Sequence, residues 1–246
     1  MSVRASLALR TRINSVVEAG LRRRYTFVGD GIATSHLCGF EHDDVFQQSW
    51  PIIENHWRPG IDVRWRVWIM RRFAEQASRL SGGFAEFGTY RGGCASAVLA
   101  AGVLPPNRPF FLFDTFSGIP SGSVLPGEPL RFFGEFSNSS PEYAMRLLGR
   151  WDRNNVQMIV GDVNETLKEF ETGPLAFVHL DLNASQPSKV AMEYVWPRLV
   201  TGGVIVFDDY GWDDYVSQRL VIDAFCADNA APVVQFPTGT AMTTKA

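Results

Sequence analysis

The chain has 246 residues, of which 46% are hydrophobic and 20% charged, with a net charge of −3. This is enough apolar material for a packed core in one large or two small domains, and it excludes a disordered chain. The longest stretches without Asp, Glu, Lys or Arg run 16 residues, 92–107 and 229–244, short of the roughly 20 apolar residues that cross a bilayer, so no membrane-spanning segment is expected.

Residues 1–24 carry six Arg against one Glu, a local charge of +5 that leaves −8 for the rest. An acidic body argues against a nucleic-acid binder, whose affinity rests on Lys and Arg neutralising phosphates. The segment predicts an amphipathic helix, with Leu7, Ile13, Val17 and Leu21 near one face. A polar, glycine-containing stretch follows over 28–46. From 62 to 80, Val63, Val67, Met70, Ala74 and Ala77 recur at spacings of four and three, giving a helix with one buried face that ends at Gly82-Gly83. Strand-like runs at 84–87, 110–114, 157–160, 175–181 and 204–208 then alternate with helical segments at 94–103, 141–150, 165–170 and 189–199. Ser140-Pro141 is a good helix start. A last helix near 214–227 precedes an antiparallel hairpin, 233–236 and 241–244, around Pro237-Thr238-Gly239.

The alternation predicts an α/β fold with a doubly wound, mainly parallel, Rossmann-like sheet closed by that hairpin. It divides the chain into an N-terminal helical and loop extension, 1–60, and a catalytic domain, 61–246. The Gly-, Pro- and Ser-rich stretch 117–140 is long for a connection and is a candidate lid or substrate loop. Cys38, Cys94 and Cys226 are odd in number and far apart, as free thiols of a reducing cytoplasm would be; a cytoplasmic protein is expected.

In an open α/β sheet, ligands bind beyond the carboxyl ends of the strands. The turn after the first sheet strand reads Glu86-Phe87-Gly88-Thr89-Tyr90-Arg91-Gly92-Gly93. Its G-x-x-x-G spacing is neither the dinucleotide fingerprint nor a P-loop. Asp114 ends the next strand, 26 residues beyond Gly88, where a carboxylate can accept both hydroxyl protons of a ribose. Asp162, after Gly161, ends the following strand and could accept from an adenine amino group. Asp181 and the pair Asp208-Asp209 end the last two parallel strands. If those strands are neighbours, three carboxylates converge and raise one another's pKa values. A hard divalent cation relieves that conflict, and oxygen ligands favour magnesium or calcium. His179 and Asn183 share the pleat face of Asp181; Asn183 could be a neutral metal or hydroxyl ligand, and His179 a supporting partner or a proton acceptor. Trp57, Trp65, Trp68 and Trp212 are either core residues or stacking platforms for a sugar or aromatic substrate.

Acid-x-Gly-x-x-x-Gly matches the first motif of S-adenosylmethionine (SAM) methyltransferases. Together with Phe113-Asp114-Thr115-Phe116-Ser117-Gly118-Ile119-Pro120, the Asp181-to-Asp208 spacing of 27 and Phe207-Asp208-Asp209-Tyr210-Gly211, it makes the chain resemble the macrocin O-methyltransferase family. Gly29-Asp30-Gly31, Trp65-Arg66 and Phe236-Pro237-Thr238-Gly239 extend the resemblance over nearly everything beyond Val28. It implies a class I methyltransferase fold in a homo-oligomer of natural-product biosynthesis, methylating a sugar hydroxyl of a small-molecule glycoside or surface glycan. It further implies SAM and Mg2+, or another divalent cation, as cofactors. The cofactor contacts would come from Glu86, Gly88, Thr89, Tyr90, Gly92, Asp114, Thr115, Phe116, Gly161 and Asp162, and the metal ligands would be Asp181, Asp208 and Asp209. One departure stands out. Many members read Asp-Gly-Asp-Leu-Tyr-Glu-Ser-Thr where this chain reads Asp181-Leu182-Asn183-Ala184-Ser185-Gln186-Pro187-Ser188, so the second acid is an amide.

In-line attack on a sulfonium methyl needs alignment and a good oxygen nucleophile. A metal chelated by two adjacent hydroxyls supplies the latter by lowering their pKa. Asp181 is the first candidate for general base and His179 the second. The nearest alternative is a catechol-type O-methyltransferase acting on a phenolic diol. A non-catalytic binding subunit of the same fold is another, and the glycine spacing disfavours an NAD-linked oxidoreductase.

Overall fold

The computed structural model describes residues 20, 24–56, 61–124, 128 and 136–246. The helix expected over 1–24, Trp57 and much of the candidate substrate loop lie outside the described residues. The described chain opens with a hairpin, β1 (Phe27–Gly29) and β2 (Ile32–Thr34), turning through Asp30 and Gly31, both at positive φ. Asp-Gly is a pair that such a two-residue turn favours. The stretch 28–46 carried no strand expectation, so this hairpin is an addition to the fold as read from the sequence. Next comes α1 (Asp44–Ile53), capped by Asp43, whose carboxylate accepts from the Phe46 N–H. In α2 (Arg64–Ala77), Val67, Met70, Ala74 and Ala77 are buried, as their spacing predicts.

The alternating part then runs β3 (Gly83–Phe87), α3 (Gly93–Ala100), β4 (Phe110–Asp114), α4 (Pro141–Leu148), β5 (Val156–Val160), α5 (Val163–Thr166), β6 (Leu175–Leu180), α6 (Ser185–Arg198), β7 (Leu199–Phe207), α7 (Val216–Asp228), β8 (Val234–Gln235) and β9 (Ala241–Thr244). Ser140 caps α4 by accepting from the Tyr143 N–H, with Pro141 in the first turn. α6 starts earlier than its apolar pattern suggested. Pro187 sits in its first turn, where a missing N–H costs no helical bond.

Seven strands form one sheet in the order β5-β4-β3-β6-β7-β9-β8. The first five are parallel, and β9 is antiparallel to both β7 and β8. The doubly wound α/β fold with its closing hairpin is therefore the observed one. The chain runs outward from β3 to β5 and returns to lay β6 on the other side of β3. That reversal opens a crevice at the carboxyl ends of β3 and β6.

Strand alternation sorts the core into two layers. Phe84, Phe110, Leu112 and Phe177 pack with α1, α2 and α3, joined by Phe27 and Phe40 from the N-terminal part. Phe87, Phe113, Val178 and Phe207 pack with α6 and α7 on the other face. Period two puts Glu86, His179 and Asp208 on the first face, and Glu86 is paired in register with His179. Three ionisable groups at one end of an apolar layer mark the site.

Candidate active site

A cavity of about 340 Å³ opens at the carboxyl ends of the parallel strands, within the range of small-ligand pockets. On one side it is built from the turns after β3, β4 and β5. Gly88 has φ +93°, and a Cβ there would lie 1.8 Å from the carbonyl oxygen of Asp181. Glycine alone lets this turn rest on the end of β6. The Asp114 carboxylate accepts from the Tyr90 N–H at 2.6 Å and the Phe116 N–H at 2.7 Å. Burial raises its pKa, and those donors pull the other way. Asp162 caps α5, accepting from the N–H and the side-chain amide of Asn164. Glu86 is buried with both carboxylate oxygens lacking a hydrogen-bond partner, and burial raises its pKa. Glu86, Gly88, Thr89, Tyr90, Asp114, Thr115, Gly161 and Asp162 line the cavity; Gly92 and Phe116 do not. Those two shape the turns instead: Gly92 enters α3 at φ +82°, and Phe116, at φ +53°, offers its N–H to Asp114.

The other side is built from the ends of β6 and β7. These strands are neighbours, with Leu180 beside Phe207, and the Asp208 N–H donates to the Leu180 carbonyl at 3.1 Å. Asp181, Asp208 and Asp209 are thereby brought together, one oxygen of each lying within 4.8 Å of the others. Burial and the neighbouring Asp208 push Asp181 well above the usual carboxylate range and Asp209 up to about 6. Burial acts on Asp208 too, but Arg66 and His179 hold it down at about 2. Asn183, in the left-handed region at φ +54°, donates from Nδ2 to Asp181 at 3.1 Å and to Asp209 at 2.5 Å.

His179 is fully buried between two acids and does not line the cavity. Its Nδ1 lies 3.7 Å from Glu86 and its Nε2 3.6 Å from Asp208. Burial disfavours its charge, yet the two carboxylates win and raise its pKa to about 10. At neutral pH it holds its proton as an ion-pair partner of both.

Two residues of the site carried no role in the sequence reading. Arg66 Nη1 donates to Asp208 at 2.6 Å and to Asp209 at 2.9 Å. Its Nε donates to Asp30 at 2.9 Å, and its Nη2 bonds the other oxygen of Asp30. The signal was an arginine three residues after Val63 and four before Met70, inside an apolar stripe. A charge on a buried helical face has to be paired. Of the tryptophans, Trp65 packs on Phe27 and Phe40, and Trp68 donates to Asp43 at 3.0 Å. Trp212 lines the cavity.

Comparison with known proteins agrees with this architecture. The chain is 27% identical over 149 residues to the 8-demethyl-8-(2,3-dimethoxy-alpha-L-rhamnosyl)-tetracenomycin-C 4'-O-methyltransferase of Streptomyces olivaceus. The match covers 56% of each, so the chain spans about half the length of that curated relative. The O-methyltransferase NovP superposes with a TM-score of 0.67 at 18% identity, over 81% of this chain and 88% of that one. TomG of Streptomyces achromogenes, an O-methyltransferase involved in tomaymycin synthesis and solved with SAM, gives 0.53 at 16% identity, over 83% and 91%. At such identities the structures share the fold. The model of one family, described as Macrocin-O-methyltransferase (TylF), matches residues 69–231, and the chain belongs to that family.

Proposed function

We propose that the protein transfers the methyl group of SAM to a sugar hydroxyl, with a divalent cation, magnesium or another, holding a vicinal diol of the acceptor. The observation that carries this reading is the meeting of Asp181, Asp208 and Asp209 on the wall of a cavity that Gly88, Asp114 and Asp162 also line. The donor set suits a hard cation. It is all oxygen, burial and mutual repulsion raise two of its acids, and Asp208 Oδ1 is buried without a hydrogen-bond partner. A cation held there by the three carboxylates supplies Lewis acidity that lowers the pKa of a coordinated hydroxyl.

SAM, when bound, supplies an activated sulfonium methyl. The buried Glu86 carboxylate, with no hydrogen bond to either oxygen, fits a cationic amino group. Each oxygen of Asp114 takes one N–H and keeps a lone pair for a ribose hydroxyl, and Asp162 lines the cavity beyond β5 for the adenine. Asp181, at the cavity wall, accepts the proton of the attacking hydroxyl. His179, between Glu86 and Asp208, orients both. A sugar acceptor is supported by the rhamnosyl substrate of the curated relative and by Trp212, an aromatic residue of the cavity lining.

The test is methyl transfer by the purified protein from SAM to a rhamnoside and to a catechol, followed by product release and mass. The expected result is a methylated glycoside, lost on chelation with EDTA and restored by Mg2+. Methylation of the catechol alone would move the reading to phenolic diols. Full activity in EDTA would remove the cation from it.

A further inference from the structure

We infer that Arg66 is the positioning residue of the cation site, and that Asp30 in the β1–β2 hairpin sets Arg66 in turn. The inference rests on the cation reading above. A guanidinium is a rigid planar fork whose donors have fixed directions. One edge of it, Nε and Nη2, takes both oxygens of Asp30. With that edge locked, Nη1 reaches forward to two different carboxylates, Asp208 Oδ2 and Asp209 Oδ1. Each acid at the end of β7 therefore has one oxygen committed to Arg66. The remaining oxygens are directed by this commitment: Asp208 Oδ1 has no hydrogen bond and faces His179 Nε2 at 3.6 Å, and Asp209 Oδ2 meets the Asn183 amide that also holds Asp181.

Neutralisation alone would ask for a nearby positive charge and a single contact. The observed arrangement does more, because it fixes the rotation of two side chains that no main-chain donor restrains among the described residues. It also gives the hairpin a purpose. β1 and β2 form a two-stranded sheet of their own, outside the seven-stranded one. Their tight turn nonetheless delivers a buried Asp30 to a helix that starts more than thirty residues later. The two bonded oxygens of Asp30 are what aim the fork.

The test is Mn2+ binding to the full chain, read by electron paramagnetic resonance and calorimetry without turnover, with S-adenosylhomocysteine affinity as the companion measurement. Arg66→Lys keeps the charge and loses the fork; Asp30→Asn keeps the shape and loses one of the two acceptors. Supporting atoms behind metal ligands are worth about 10–100-fold in affinity. We expect a loss of that size in Arg66→Lys and of several-fold in Asp30→Asn, with S-adenosylhomocysteine affinity within about twofold of wild type. Wild-type or tighter Mn2+ binding in Arg66→Lys overturns the inference, since Arg66 then only balances charge. If Arg66→Lys does not fold, Asp30→Asn decides alone, and unchanged Mn2+ affinity in it overturns the inference. Absence of Mn2+ binding to the wild type removes the cation reading itself, and this inference with it.

Discussion

The two halves of the cavity are held in place by different kinds of bond. In the half proposed for SAM, two of the three carboxylates take main-chain N–H groups from nearby turns, Asp114 from Tyr90 and Phe116 and Asp162 from Asn164, while Glu86 faces a side chain, His179. In the half proposed for the cation, side chain holds side chain across the whole molecule. Arg66 joins Asp30, 36 residues before it, to Asp208, 142 residues after it. Main-chain donors survive most substitutions because every residue but proline carries one. Buried side-chain charges do not, since deleting one leaves its partners uncompensated. The cofactor half should therefore tolerate sequence change, and the cation half should be brittle.

That contrast can be broken in three places. The largest effect is expected from Asp181→Asn, which removes the proposed proton acceptor from the brittle half. Turnover should fall about 10²–10⁴-fold, the usual size of a general-base contribution, with S-adenosylhomocysteine affinity held within about threefold. Steady-state kinetics beside calorimetry checks both, and a matching loss of affinity would show that the halves cannot be separated. Next comes Asp114→Asn, which keeps the shape and removes the charge in the tolerant half. Hydrogen bonds to a charged group are worth roughly 1.5–3 kcal/mol, so S-adenosylhomocysteine should bind about 10–100-fold more weakly, with Mn2+ affinity unchanged.

The smallest effect is a pH dependence. Asp209 is raised to about 6 and Asp181 is raised as well, so both must lose a proton before they can ligate. Mn2+ affinity should then fall several-fold as pH drops through about 6, because protons and cation compete for the same oxygens. Titrations at pH 7.5 and 5.5 would show it. A flat profile would mean that these carboxylates are not the ligands.

The same contrast explains what the sequence revealed. The five parallel strands announced themselves as apolar runs ending in Gly or Asp, and the turns proposed to hold the cofactor were local enough to read as motifs around Gly88, Asp114 and Asp162. Asp181, Asp208 and Asp209 were legible too, because each sits at a strand end and needed only the adjacency of β6 and β7. Arg66 and Asp30 stayed hidden as site residues. Their partners are distant in the chain, and the two three-residue strands that flank Asp30 are too short for alternation to show. His179 was visible as a polar residue in an apolar run. Its role depended on Glu86 lying beside it in the neighbouring strand, which no spacing within one strand discloses.

Gly88 has a consequence for how far the reaction has to reach. The turn that would cradle the methyl donor touches the main chain of Asp181, the residue that would receive the proton, with no room between them for even one carbon. The turn proposed for the donor and the main chain of Asp181 are thus spaced by a backbone-to-backbone contact acting as a fixed ruler. Side chains lining the acceptor end can diverge to admit new sugars while that spacing stays constant.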